Sequence, residues 1–471
     1  MNEPDTPDDP RQGLPSVSLV LDDEAIRGLV AEFSRPFVLD AVRETLDCLR
    51  NELGPGNEPP PMNAITERVK SVLHANEFER LRPVVNATGI ILHTNLGRAV
   101  LPQRAVDALS GLNRCCNLQI DLETGKRGRR SFMTEYLLTK LTGAEAALVV
   151  NNNAAATFLV LSALCRGKEV IVSRGQLIEI GGSFRLPDCI HQSGAVMVEV
   201  GTTNKTHLSD YERALTENTG MVLRVNPSNY RIVGFTEEVP IEDLVTLKRI
   251  RPVLVADDLG CGALIDLSHH GLPAEKTVQA SIAAGADLAF FSGDKLIGGP
   301  QAGIIAGKKE LIAKIKKHPL TRMLRICKLT DMALEQTLRL YLDPETLIEH
   351  HPTLRMMTAP LDALKRKAVR IKRYLDAHVT SLHLRVVESE SETGGGAMPG
   401  VTIRSYALAV RSERLPTDRL CALLRRNDPP VIGRISDDEV LLDMRTLLDG
   451  EDHIVRDALD RLANTRDGDR A

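Results

Sequence analysis

Between residues 146 and 307 the chain carries seven short apolar runs: AALVV (146–150), EVIVS (169–173), AVMVEV (195–200), MVLRV (221–225), PVLVADD (252–258), LAFFS (288–292) and AGIIAG (302–307). Helical stretches lie between many of them. A run that is apolar at successive positions needs cover on both faces, and a strand that returns parallel to its predecessor does so through a crossover, usually a helix. The pattern predicts an α/β fold with one large, mainly parallel sheet. With 43% hydrophobic and 26% charged residues, the chain has enough apolar material to fill such a core. No internal repeat is visible.

The flanks read differently. Residues 1–16 are acidic and Pro-rich and predict a disordered tail. Residues 17–82 predict a small helical module: Ile26, Leu29, Val30 and Phe33, then Val38, Val42 and Leu46, recur at helical spacing, with a break near Pro36. GPGNEPPPMN (54–63) has linker composition, and a further helix is expected over 64–79. The large α/β domain is assigned to 83–340. Residues 341–471 are expected to form a linking helix, part of a helical region from about 330 to Tyr374, and a small α+β domain. That domain should contain a hairpin at Ser436-Asp437-Asp438 and a mobile loop from Ser389 to Gly400.

Charge and composition narrow the function. A net charge of -4 argues against a generally basic nucleic-acid coat, and with 3% aromatics and no Trp, stacking on several bases is disfavoured. No DNA partner is expected. The eight cysteines form no CxxC pair and no zinc spacing, as expected of free thiols in a reducing compartment. The start, MNEPDTPDDP, lacks the basic and apolar segments of a secretory signal, and no 18-residue apolar run is present. A soluble, cytoplasmic protein with no membrane partner and no metal site is expected.

The chemistry concentrates in Ser292-Gly293-Asp294-Lys295-Leu296-Ile297-Gly298-Gly299-Pro300-Gln301-Ala302-Gly303. A lysine in a Gly-rich turn directly after a buried strand loses hydration. Its pKa falls, favouring the amine that condenses with an aldehyde such as that of pyridoxal 5′-phosphate. Ser292 could donate to that cofactor's phosphate. Ser292-x-x-Lys295 also fits the S-x-x-K signature of penicillin-recognising serine enzymes, but the accompanying S-D-N and K-T-G elements are absent from the sequence. Asn151-Asn152-Asn153-Ala154 follows the AALVV run and opens a helix, so Asn152, Asn153 and Ala154 could offer N–H groups to an anion; plain helix capping by Asn is the competing explanation. Asp257 and Asp258 stand at the end of a strand, where a carboxylate could keep the pyridine nitrogen protonated. Phosphate turn, then aspartate, then lysine is the order shared by the aminotransferase-like (fold type I) superfamily.

Longer strings narrow this further. LHTNLGRA (92–99), NLQIDLETGKRGRR (117–130), VVNNNAAA (149–156), VSRGQLIEIGGSFRLPD (172–188), SNYRIVGFT (228–236), DLGCGALIDL (258–267) and SGDKLIGGPQAGIIAGKKE (292–310) resemble the bacterial selenocysteine synthase family, the L-seryl-tRNA(Sec) selenium transferases. The likeness is dense over roughly 80–345 and thinner beyond. It implies pyridoxal-phosphate-dependent conversion of seryl-tRNA(Sec) to selenocysteinyl-tRNA(Sec), by loss of water and addition of selenium from selenophosphate. It also implies a homo-oligomer, a ring of dimers with composite sites, and an N-terminal module that contacts tRNA. By resemblance, Lys295 is the cofactor lysine, Asp294 the acid beside it, and Asp258 the aspartate of the family's DLGSG string. Arg98, Arg322 and Arg325 match arginines that bind the anion of the selenium donor.

Four departures stand out: Cys261 for the usual serine, Gln176 where RGELVE is usual, Asn226-Pro227 for His-Thr, and GGGAMPG (394–400) for a Gly-Ser-Leu-Pro pattern. Asn226 puts in doubt any proton transfer at that position. Arg322 and Arg325, three apart, would share a face if their segment were helical. Lys308 to Lys328, and Lys126 to Arg130, are the strongest basic stretches. Residues 1–60 instead hold 13 acids against 5 arginines, so tRNA would be read there by shape and a few contacts. The alternative is a small-molecule pyridoxal-phosphate lyase or aldolase on the same fold.

Overall fold

The computed structural model describes residues 10–54, 58–78 and 81–464 and divides into two units, Met1–Pro83 and Val84–Ala471. The first unit holds α1 (Val17–Asp22), α2 (Glu24–Phe33), α3 (Arg35–Glu52) and α4 (Met62–Phe78). Caps explain the starts: Ser16 Oγ accepts from Leu19 N at 3.2 Å, and Asp23 Oδ1 from Ala25 N at 3.0 Å. The break expected near Pro36 falls at Ser34, whose φ is 71°, because Pro36 is tolerated in the first turn of α3. Val20, Ile26, Leu29, Val38, Val42, Leu46, Ile65 and Val69 form the core. Of the expected tail, residues 1–9 lie outside the described residues, Pro10–Gly13 forms a 3-10 turn, and Ser16 caps α1. Residues 55–57 of the expected linker also lie outside them.

In the second unit, β1 (Ala146–Val150), β2 (Glu169–Ser173), β3 (Val196–Val200), β4 (Thr219–Val225), β5 (Leu254–Gly260), β6 (Leu288–Ser292) and β7 (Gly303–Gly307) form one sheet in the order β1-β7-β6-β5-β4-β2-β3. All pairings are parallel except those of β7, which runs antiparallel to both neighbours. Only the short 293–302 segment joins β6 to β7, and a parallel return needs a crossover of about a dozen residues or more. The helices α5 (Phe132–Thr142), α6 (Asn153–Leu164), α7 (Val278–Ala283), α8 (Lys309–Lys316), α9 (Pro319–Met323) and α10 (Lys328–Leu340) follow in chain order. One face of the sheet packs Val149, Phe291 and Ile304 against Leu137, Val278 and Leu334. The other packs Leu148, Phe290 and Ile305 against Leu159, Val160 and Ile312. Adjacent residues thus serve opposite cores, which is why the strands read as continuous apolar runs.

The helical region expected from about 330 is α10, α11 (Pro352–Thr358) and α12 (Leu361–His378), with a short turn of helix between the first two. Prolines stand at the first position of α11 and at the cap of α12. An antiparallel sheet follows: β8 (Leu382–Glu392), β9 (Thr402–Ser412), β10 (Arg434–Ser436) and β11 (Glu439–Asp443), in the order β8-β9-β11-β10. It is covered by α12, α13 (Thr417–Arg425) and α14 (Glu451–Asn464). The expected hairpin is present, with Asp437 and Asp438 at φ 52° and 59° in its turn. The mobile loop expected at 389–400 is corrected. Ser389–Glu392 extends β8, and Thr393, Ala397 and Met398 are buried, with Leu92 N donating to Thr393 O at 2.7 Å. Val85 and Ala87, just past the composition shift at 83, pack into the C-terminal core instead of the large sheet.

Candidate active site

Side chains of successive strand residues point to opposite faces, so Asp257 and Asp258 cannot share a task. Asp257, fully buried, accepts from Arg224 Nη1 at 2.8 Å and from Ser281 Oγ at 2.7 Å on α7. Arg224 is its register partner on β4. Asp258 faces α6 and accepts from Asn153 Nδ2 at 2.8 Å, Thr157 Oγ1 at 3.0 Å and Gly260 N at 3.1 Å. Burial raises the Asp258 pKa, against the pull of those three bonds and of the Lys295 charge.

Lys295 lies in the turn after β6 and is buried. Burial lowers its pKa; the Arg98 guanidinium pushes the same way, while Asp294 and Asp258 oppose it. Among the described residues its amine has no hydrogen-bond or ion-pair partner. Gly293 N donates to Ala302 O at 2.8 Å, and Gly299 N to Gly293 O at 2.8 Å, closing the turn on itself. Arg98 Nη1 donates to Asp294 Oδ2 at 2.7 Å, so these two predicted residues neutralise each other beside the lysine.

Asn152 caps α6, its Oδ1 accepting from Ala155 N at 2.8 Å. Capping by asparagine is therefore real, yet it leaves the N–H groups of Asn153 and Ala154 without a partner among the described residues. Gly303 on β7 lets the sheet press against this turn: a Cβ there would lie 2.0 Å from Asn152 O. Ser292, also buried, is the register partner of Gly303 on β6. These groups fit pyridoxal phosphate. Among the described residues the Lys295 amine has no hydrogen-bond partner, Asp258 is a buried acid without a cation in contact, and Asn153 Oδ1 is buried without a hydrogen bond. A pyridinium N–H would complete Asp258 and an aldehyde carbon the Lys295 amine, while a phosphate would take the unpartnered N–H groups of Asn153 and Ala154.

Arg322 and Arg325 are not on one helical face as expected. Arg322 is on α9, whereas Arg325 lies past its end and bridges Val150 at the end of β1, where Asn151 N donates to Leu324 O at 2.9 Å. Both still line one cavity of about 380 Å³ together with Arg129, Arg130, Lys316 and Glu135. Arg98 does not line it.

Several members of the site escaped the sequence reading. Thr157 follows Asn153 by four residues, so helical spacing alone could have placed both on Asp258. Arg224, a lone charge in a buried run, signalled an opposite charge on the next strand. Cys261 donates its thiol to Glu275 Oε1 at 3.2 Å, and burial raises both pKa values, so the thiol is no nucleophile. Nothing local linked those two. Gln176 is buried and accepts from Val225 N at 3.1 Å, a bond a glutamate could also accept.

Fold and cofactor chemistry together are those of pyridoxal-phosphate enzymes of the aminotransferase-like class. The backbone matches D-glucosaminate-6-phosphate ammonia-lyase with a TM-score of 0.57 over 81% of this chain and 96% of that one, at 21% identity, a likeness of fold alone. Residues 84–448 match the family model of L-seryl-tRNA selenium transferase, and residues 11–50 that of the selenocysteine synthase N terminus. The L-seryl-tRNA(Sec) selenium transferase of Geobacter sulfurreducens is 48% identical over 96% of this chain and 99% of its own length. That of Carboxydothermus hydrogenoformans is 46% identical over 93% and 95%. The chain belongs to the L-seryl-tRNA selenium transferase family.

Proposed function

We infer that this chain converts seryl-tRNA(Sec) to selenocysteinyl-tRNA(Sec), with pyridoxal phosphate as cofactor and selenophosphate as selenium donor. The observation that carries the reading is its 48% identity to a named relative over 96% of the chain, N-terminal module included. We assign Lys295 as the residue that carries the cofactor, Asp258 as the partner of the ring nitrogen, and Asn152, Asn153, Ala154 and Ser292 as its phosphate ligands. When bound, the cofactor supplies an aldehyde that condenses with amines and a protonated ring that draws electrons from the seryl α-carbon.

The protein's own part is to hold charges and move protons. Lys295 Nζ, whose pKa burial lowers, is suited to take the α-proton of the seryl group and later to return it. Asp258, held by Asn153, Thr157 and the Gly260 N–H, would face the ring nitrogen and favour its protonated form. Asp294 restrains Arg98 beside the lysine. We place the selenophosphate anion with Arg322 and Arg325, whose guanidinium forks suit phosphate oxygens. Arg98 would join them only where its remaining N–H groups allow.

We further propose that the N-terminal module, residues 17–82, contacts tRNA and that the chain works in the cytoplasm as a ring of dimers. Exposed Leu122 (76%) and Met323 (75%), with Phe132 and Tyr136, support a subunit contact. The test is to mix purified protein with pyridoxal phosphate and charged seryl-tRNA(Sec), then add selenophosphate. Selenocysteinyl-tRNA is expected from the parent and not from Lys295→Ala, which should also lack the visible absorbance of lysine-bound cofactor. Turnover of a free amino acid without any tRNA product would instead establish a small-molecule lyase.

A further inference from the structure

Two buried polar side chains near the lysine have no part in the chemistry above. Tyr341 stands at the C-cap of α10 and His351 at the N-cap of α11, and both turn inward. His351 is 0% exposed and Tyr341 7%. Their rings meet edge-on, with centroids 5.5 Å apart.

The hydrogen-bond directions follow from the donors. Leu354 N donates to His351 Nδ1 at 3.2 Å, so Nδ1 keeps its lone pair. The neutral ring therefore carries its hydrogen on Nε2, which donates to Ile297 O at 2.8 Å. Tyr341 Oη lies 3.1 Å from Leu296 O, 3.2 Å from Ile297 O and 3.1 Å from Nε2. Its one proton goes to a carbonyl, and its lone pair shares the Nε2 hydrogen. Leu296 O and Ile297 O have no backbone donor among the described residues, and both residues are buried. A buried carbonyl left unpaired is costly, so the imidazole and the phenol decide where this stretch of backbone settles. The fit is close. Gly298 has φ 69°, and a Cβ on it would sit 2.2 Å from His351 Cε1, so the imidazole rests directly on the backbone.

Leu296 and Ile297 are the two residues after Lys295, in a turn that belongs to neither β6 nor β7. We propose that His351 and Tyr341 are positioning residues for Lys295, holding the carbonyls that follow it so that the lysine emerges toward Asp258 in a single pose. The proposal rests on the reading that Lys295 carries the cofactor.

Three substitutions separate positioning from bulk stability. His351→Asn keeps an oxygen to cap Leu354 N but is too short to reach Ile297 O. His351→Gln reaches that carbonyl. Tyr341→Phe removes one oxygen and no packing volume. Each holoenzyme is compared with the parent by cofactor absorbance, by the pH at which that absorbance titrates, and by steady-state kinetics per bound cofactor. His351→Asn and Tyr341→Phe are expected to shift the titration midpoint and to lower kcat about tenfold, with KM for seryl-tRNA(Sec) unchanged. His351→Gln should restore most of the loss. Variants that melt earlier yet keep the parent's absorbance, titration and kcat overturn the proposal. Should His351→Asn fail to fold, Tyr341→Phe decides the matter alone. Lysine-bound absorbance that persists in Lys295→Ala would sink the cofactor reading itself, a result distinct from any outcome for the two braces.

Discussion

Asp257 and Asp258 are adjacent, both acidic and both buried, yet their surroundings assign them opposite failures. Asp257→Ala removes the only contact-distance carboxylate of Arg224 among the described residues; Glu238 stands 3.9 Å away and is itself half exposed. Breaking a buried pair from one side costs about 3–5 kcal/mol, and partial rescue by Glu238 puts the expectation near the lower figure. For a unit of this size, about 3 kcal/mol corresponds to a fall in melting temperature of about 4 °C. The absorbance of bound cofactor should persist. Asp258→Asn keeps shape: its one carbonyl oxygen, in the Oδ1 place, still accepts from Asn153 and Gly260, and its NH2 can donate to Thr157 Oγ1, which itself can donate to Asn153 O, so the stability loss should be about 1 kcal/mol or less. What it loses is a charge against the ring nitrogen. A hydrogen bond to a charged group is worth about 1.5–3 kcal/mol, which predicts kcat/KM lower by roughly 10- to 100-fold. Thermal unfolding of the apoprotein and single-turnover assays of the loaded enzyme measure the two effects separately. The reverse pattern, with Asp257→Ala inactive but stable and Asp258→Asn unstable, would refute the assignment of faces.

Other expectations follow from the same geometry. Burial lowers the His351 pKa from 6.5 to about 4. Between those values the unfolded chain binds a proton that the fold refuses, so stability falls as pH drops from 6.5 toward 4. One proton over that window is worth roughly 3 kcal/mol. Denaturant titrations should show a shallower acid loss in His351→Gln, and identical slopes would count against it. Gly303→Ala sets a Cβ against Asn152 O and should cost about 1–3 kcal/mol while weakening pyridoxal phosphate binding, read by absorbance titration. Arg322→Ala and Arg325→Ala should each raise KM for selenophosphate about tenfold at unchanged KM for seryl-tRNA(Sec). An effect on the tRNA term alone would move that cavity's role from the donor to the RNA.

How much the amino-acid order decides is clear from particular elements. Runs such as LAFFS are apolar at adjacent positions, and backbone alternation then demands cover on both sides, so the buried sheet was legible locally. So were the Gly-rich turn holding Lys295, the asparagine-capped start of α6 and the Asp437-Asp438 hairpin, because each depends on neighbours within a few residues. Other features were settled by contacts between distant segments. The face taken by each aspartate follows from which helix packs there. Arg98 meets Asp294 across nearly two hundred residues, and Arg322 and Arg325 reach one cavity from a helix and from a β-bridge, not from a shared helical face. The expected loop at 389–400 is packed because residues near Leu92 supply its partners. Spacing along a chain sets which way a side chain leaves the backbone; what it meets there is set by sheet register and chain return, which no short window contains.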